Sequence, residues 1–217
     1  YATRLGLVGS EMCISHRANV NLVPLPKVTG LAVVHFASLI EACEATSTIL
    51  EHSPTAIELV GSMLLDRTRE SPTFARKMGF VNGNPDAILI VEFNGDSRQE
   101  VVDRIAKLQL DISSKKMGYD CVSVIDPEEQ ANVWAIRKAG LGLLMSVRGD
   151  YKPIPFVEDT AVDPSQLGEF VKVFDEIIGN HGTKAAYYRH ASVGCLHIRP
   201  MVNLKITEVT RPNIPSE

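Results

Sequence analysis

The sequence predicts an α+β domain: an antiparallel sheet with helices packed on one face. Three observations predict it. Short apolar runs alternate with amphipathic stretches in the order β-α-β-(insert)-β-α-β over residues 31–125. A second unit, β-α-β-β, follows after a long helical stretch. In the second unit two strands, Lys184 to His190 and Cys195 to Arg199, follow each other across a short turn and so pair antiparallel. Two split β-α-β units of this kind make ferredoxin-like halves, and the second half reads as truncated.

The elements follow in order. Gly6 and Gly9 break any early periodicity, and Val20, Leu22 and Leu25 form an extended run closed by Pro24 and Pro26. "LVPLPK" at 22–27 therefore reads as a linker. Residues 1–27 are expected to be a tail from an upstream part, and 28–217 the domain proper. Leu31 to Phe36 is a strand. Ser38 with Glu41 three residues on suggests a capping box, and the helix behind it runs to about Glu51. Ala56 to Val60 is a second strand. Ser62 to Glu70 and Thr73 to Met78 are short helices divided by Pro72. Ala87 to Phe93 carries the strongest strand pattern. A helix with Val101, Val102, Ile105, Leu108 and Ile112 follows, then a strand from Tyr119 to Ile125. Pro127 opens a long helix toward Met145, at a position where its missing N–H costs nothing. Ala131, Trp134, Ile136 and Leu141 are its apolar positions. Pro155 to Val162 is a strand, Pro164 opens the next helix, and Lys184 to His190 and Cys195 to Arg199 form a hairpin.

Composition narrows the function classes. Of 217 residues, 45% are hydrophobic and 22% charged, which suits a globular core and excludes a disordered or collagen-like chain. The net charge of -4 disfavours binding nucleic acid through its phosphates. No run approaches the roughly 20 apolar residues of a membrane span. Cys13, Cys43, Cys121 and Cys195 form no CxxC pair, so no zinc ribbon or iron–sulfur cluster is expected within this chain. The chain opens on Tyr1 and stops at Ser216-Glu217, which predicts a piece of a longer polypeptide. "GLGLL" at 140–144 follows a helix rather than a strand and fails the context of a dinucleotide-binding turn.

The hairpin His190-Ala-Ser-Val-Gly-Cys-Leu-His197 carries the most chemistry. A two-residue turn at Val193-Gly194 would set His190 opposite His197, on one face and within joint reach of a metal ion. Val193 suits such a turn poorly, because both central residues need positive φ, and a longer or bulged loop is the alternative. Two histidines this far apart are also ordinary packing residues, and no carboxylate follows to complete a ligand set. Arg137 and Lys152 are the candidate anion-binding groups; Glu158-Asp159 could pair with them instead. Ser192 adjoins His190, but strand neighbours face opposite sides, which disfavours a nucleophile–base pair, and Cys195 reads as a structural thiol.

"KPIPFVEDTAV", "FDEIIGNHGTKAAYYRHASVGCLHIRP" and "VNLK", extended by "LVPLPK", "LAVVHF" and "WAIRKAGLGLLM", resemble the C-terminal domain of FAD-linked oxidases. Within the vanillyl-alcohol oxidase and p-cresol methylhydroxylase group, the resemblance is nearest to bacterial D-2-hydroxyacid dehydrogenases acting on D-lactate, glycolate or D-2-hydroxyglutarate, with a flavin part fused to an iron–sulfur part. It covers roughly residues 20–205. It implies that this chain roofs FAD held by an upstream domain, and that a small 2-hydroxy acid is oxidised to a 2-oxo acid. It implies that Arg137 and Lys152 hold the substrate carboxylate. It implies that His190 and His197 bind a divalent metal, zinc or iron-like, with the remaining ligand and the base in a later acidic motif. On that view no catalytic residue lies within this chain, which alone would be inactive. Any iron–sulfur cluster would sit in a further domain of the parent. The resemblance implies a cytoplasmic setting, peripheral to the membrane where the parent's electron acceptor lies there. Two departures stand out: Ser192-Val193 replaces the usual Gly-Asp, and Cys195 replaces Asn. "GLVGSEMCISH" and "ITEVTRPNIPSE" match poorly. The competing readings are a non-catalytic ferredoxin-like binding or regulatory module and, disfavoured by its missing carboxylate ligand, an independent metallo-hydrolase.

Overall fold

A computed structural model describes Leu22 and residues 24–205. The expectations for Gly6, Gly9, Cys13, Val20 and the two poorly matching end segments lie outside the described residues. The strands are β1 (Val28–Phe36), β2 (Ala56–Gly61), β3 (Ala87–Gly95), β4 (Asp120–Val124), β5 (Lys152–Pro153), β6 (Val157–Ala161), β7 (Ala185–His190) and β8 (Cys195–Val202). The helices are α1 (Leu39–Leu50), α2 (Ser62–Glu70), α3 (Pro72–Ala75), α4 (Arg98–Ser114), α5 (Pro127–Met145) and α6 (Leu167–Asn180).

One sheet runs in the order β4-β1-β3-β2-β7-β8-β5, with β6 also paired to β8. Its pairings are antiparallel. The expected α+β class with an antiparallel sheet is thus observed. The crossover helices α1, α4 and α6 share one face, packing Cys43, Ile105 and Val171 onto Ala32, Val34 and Phe36. The expectation of helices on one face describes these three only. On the other face α2 and α5 pack Leu64, Leu65, Val133 and Ile136 onto Leu31, Val33, Ile88 and Ile90. The reason is in β1 and β3, whose residues on both faces are apolar and need cover on both sides.

Two local expectations are corrected. Ser38 precedes α1 but makes no side-chain cap. The Leu39 N–H donates instead to Asp86 Oδ2 at 2.9 Å, and Glu41 accepts from the Gly118 N–H at 2.8 Å. Asp86, in the loop before β3, therefore does the work of the cap. The buried stripe of α5 is Val133, Ile136, Gly140 and Leu144 with Gln130, while Leu141 is exposed. The spacing 133-136-140-144 fits a helical face, and "GLGLL" lies wholly within α5. Gly140 is part of the fit, since a Cβ there would crowd Leu64 Cδ2 at 2.9 Å.

His35 on β1 is fully buried. Its Nε2 lies 3.1 Å from the Phe80 carbonyl and 3.2 Å from the Asn82 N–H, and its Nδ1 has no partner among the described residues. Burial lowers its pKa below the ordinary 6.5, against the opposing pull of Asp120. The folded ring therefore refuses a proton that the unfolded ring accepts. Stability is full above pH 6.5 and declines as pH falls from 6.5 toward the folded value. Amide exchange in β1 of the full-length protein is expected to quicken over that range, and His35→Gln to remove the dependence.

Candidate active site

The site lies on the α2/α5 face, where β2, β7 and β8 meet. It begins with Glu58, the lone acidic residue in the apolar strand β2 and only 7% exposed. A carboxylate in such a place needs partners, because burying its charge alone costs several kcal/mol. Glu58 has two. Arg137 stands one position beyond Ile136, at the rim of the buried stripe of α5, and its Nε and Nη2 both donate to Oε2 at 3.0 and 2.7 Å. His190 is paired with Glu58 across β2 and β7, and its Nδ1–H donates to Oε1 at 2.8 Å.

The hairpin differs from the two-residue turn. Ala191–Val193 form a 3-10 turn and Gly194 closes it in the left-handed region at φ 64°. Val193 is thereby spared positive φ. The register shifts with the longer turn: Tyr188, not His190, is opposite His197. Both imidazoles still reach the same face, with ring centroids 6.5 Å apart and planes at 85°.

His197 is buried and sits in its own set of partners. Its Nδ1 faces Glu158 Oε1 at 3.3 Å. Glu158 also takes the Arg199 Nη2 donor, while Arg199 Nε donates to the Tyr188 hydroxyl at 2.7 Å. Of the two acidic residues expected as partners for Arg137 or Lys152, Glu158 is thus committed to Arg199 and His197. On the other side of the ring, Arg189 Nη1 lies 3.3 Å from His197 Nε2. With Nδ1 donating to Glu158, Nε2 presents its lone pair to that guanidinium.

This arrangement does not by itself fit a divalent ion. The nitrogen of His197 that would bind metal faces Arg189, a fixed cation, and the described residues include no group of three His, Cys, Asp or Glu side chains placed to hold one. Nor do they offer a glycine-rich strand-to-helix turn that could grip a flavin pyrophosphate. No step is routed through either group below.

Lys152 stands apart from this cluster. It is opposite Val202 on β5, and its ammonium donates to the Val147 carbonyl. Cys195 begins β8. Cys43 and Cys121 are structural: burial pushes their thiols up to about 12 and about 11. Glu58, Arg189, Arg199 and Tyr188 are site residues that sequence reasoning missed. Only Glu58 left a signal, as an acid inside "AIELV".

Comparison with known proteins supplies the family. The description "FAD linked oxidases, C-terminal domain" matches residues 25–212. This chain belongs to that family. It is 31% identical over 209 residues to a D-2-hydroxyglutarate dehydrogenase of Pseudomonas putida, matching 92% of this chain and 21% of that protein. It is 30% identical over 215 residues to a D-2-hydroxyglutarate dehydrogenase of Pantoea ananatis, matching 93% and 21%. The chain thus spans about a fifth of the length of these relatives. Among solved structures, p-cresol methylhydroxylase shares the fold, with a TM-score of 0.57 at 14% identity over 86% of this chain and 41% of that one. No helix among the described residues of this FAD-linked oxidase domain is long and apolar enough to cross a membrane.

Proposed function

We propose that this chain is the substrate-binding part of a flavin-dependent dehydrogenase that oxidises a D-2-hydroxy acid to the 2-oxo acid. The observation that carries the reading is Arg137, held by both its Nε and Nη2 on the buried carboxylate of Glu58, beside His190 and His197 on one face of a domain of this family. FAD held by other parts of the full-length protein would supply the hydride acceptor. The residues here bind and orient. Arg137, with Nη1 left over from its bonds to Glu58, receives the C1 carboxylate, where a fixed guanidinium supplies direction as well as charge. His190, anchored on Glu58 through Nδ1, turns its Nε2 toward the C2 hydroxyl, with the His197 ring packed beside it. Lys152 adds a second cation to the carboxylate if its ammonium leaves Val147. No described residue is assigned as the base. A divalent ion on His190 and His197 would need a third donor and the withdrawal of Arg189, so the reading stands without one. A flavin-binding part and an iron–sulfur part accompany this domain in the whole protein, in keeping with the relatives being about five times longer than the matched region.

The test is spectroscopic. The full-length protein is expected to show a flavin spectrum that D-2-hydroxyglutarate or D-lactate bleaches. Arg137→Gln is expected to raise KM by about 10- to 100-fold, the loss of one charged hydrogen-bonding contact. A colourless protein that no hydroxy acid reduces would leave the ferredoxin-like binding module as the answer.

A further inference from the structure

Three guanidiniums surround the two histidines, and two of them have a glutamate. Arg137 is paired with Glu58, and Arg199 with Glu158. Arg189 has no carboxylate partner among the described residues. Its Nη1 lies 3.3 Å from His197 Nε2, and its buried Nε has no hydrogen-bond partner among the described residues. An unsatisfied buried donor is destabilising, and more so when it is charged.

The backbone adds a second cost. Arg189 has φ 98°, in the region that favours glycine. For a residue with a side chain this conformation is strained, and such strain gathers at ligand-binding sites. Packing alone has no use for it: glycine would fit the same backbone without strain and without burying a charge. Both costs fall on one residue, whose side chain touches His197 and whose chain neighbour is His190.

We infer that Arg189 is a specificity-determining residue that receives the second, distal carboxylate of a dicarboxylic 2-hydroxy acid. This rests on the reading that Arg137 holds the C1 carboxylate. An anion seated beside His197 gives the guanidinium a carboxylate partner and offsets the desolvation of its buried Nε. A monocarboxylic acid brings no such group and leaves Arg189 as it is. The residue therefore discriminates by chain-end charge, a stronger filter than a fit of one methylene.

The test uses the full-length protein with a dye acceptor and two acids of five carbons, D-2-hydroxyglutarate and D-2-hydroxypentanoate, which differ in the distal carboxylate. Wild type is expected to prefer the diacid. Arg189→Gln is expected to lower the diacid-to-monoacid ratio of kcat/KM by about 10- to 100-fold, over and above any common loss on both acids through its contact with His197. Arg189→Lys should recover part of the loss, since an ammonium keeps the charge without the planar fork. Arg189→Gly, which removes the backbone strain and is expected to fold, should lose the diacid preference in the same way. Equal losses on both acids in the Gln variant, or a Gly variant that keeps the wild-type preference, would overturn the assignment while sparing the proposed function. A wild-type protein reduced by neither acid would sink the proposed function, and this inference with it.

Discussion

Replacing Glu58 by Ala is expected to remove both substrate-facing groups from their places at once. Its two oxygens are divided between Arg137 and His190, so neither partner can be lost without loosening the other's anchor. Truncation leaves a guanidinium, 19% exposed at its side chain, facing a cavity with no counter-charge. Breaking a buried pair from one side costs about 3–5 kcal/mol, and the partial exposure of Arg137 argues for the lower end. In the full-length protein we expect a lower thermal midpoint and a loss in kcat/KM larger than that of Arg137→Gln. Glu58→Gln keeps the volume and one acceptor; it should melt closer to wild type yet still show a raised KM. A Glu58→Ala protein with unchanged KM would mean that Arg137 does not meet substrate from this position.

The second large effect is expected at Gly194. A Cβ there would overlap the carbonyl oxygen of Val162, which is backbone and cannot rotate away. The residue also sits at φ 64°, where a non-glycine residue costs roughly 1–2 kcal/mol before any clash. The Val162 N–H donates to the Gly194 carbonyl at 3.1 Å, so relief of the overlap would strip β6 from the turn. Gly194→Ala should therefore melt well below wild type. Because Glu158 rides on β6, it should also weaken substrate binding through His197. Wild-type melting in this variant would contradict the turn described above.

Much of the fold was legible because strand and helix leave different periods in the sequence. "LAVVHF" and "AILIVEF" were read as strands, and α4 and α5 from their helical spacing. What those two strand runs also carried was two-sided burial: Leu31 and Val33 face α5, while Ala32 and Val34 face α1 and α4. An unbroken apolar run asks for cover on both faces, and that is the signal of the second helical layer. β5, two residues long and containing Pro153, is too short to leave a pattern.

The site was less legible. The sequence places His190 and His197 on one hairpin, and Val193 warned against the tight turn, but the actual pairing depends on how the chain tolerates φ 98° at Arg189. Nothing in "YYRHAS" announces that, since arginine is not a residue chosen for that conformation. The partners of Arg137 could not be deduced from position either. Glu158 lies nearer in sequence, yet Glu58, 79 residues away, takes the contact through a strand neighbour reached only by folding.

The β2–β7 pairing has a mechanical meaning. On one side of it, β4, β1, β3 and β2 come from residues before 125; on the other, β7, β8 and β5 come from residues after 151. The seam is pinned by three residue pairs, Glu58 with His190, Leu59 with Arg189 and Val60 with Tyr188, whereas β1 and β3 share nine. Arg137 and Glu58 stand on one bank and His190, His197 and Arg199 on the other. A shear of the two blocks by even one residue would pull these groups out of alignment, so any neighbouring part that grips one block gains leverage over the whole constellation.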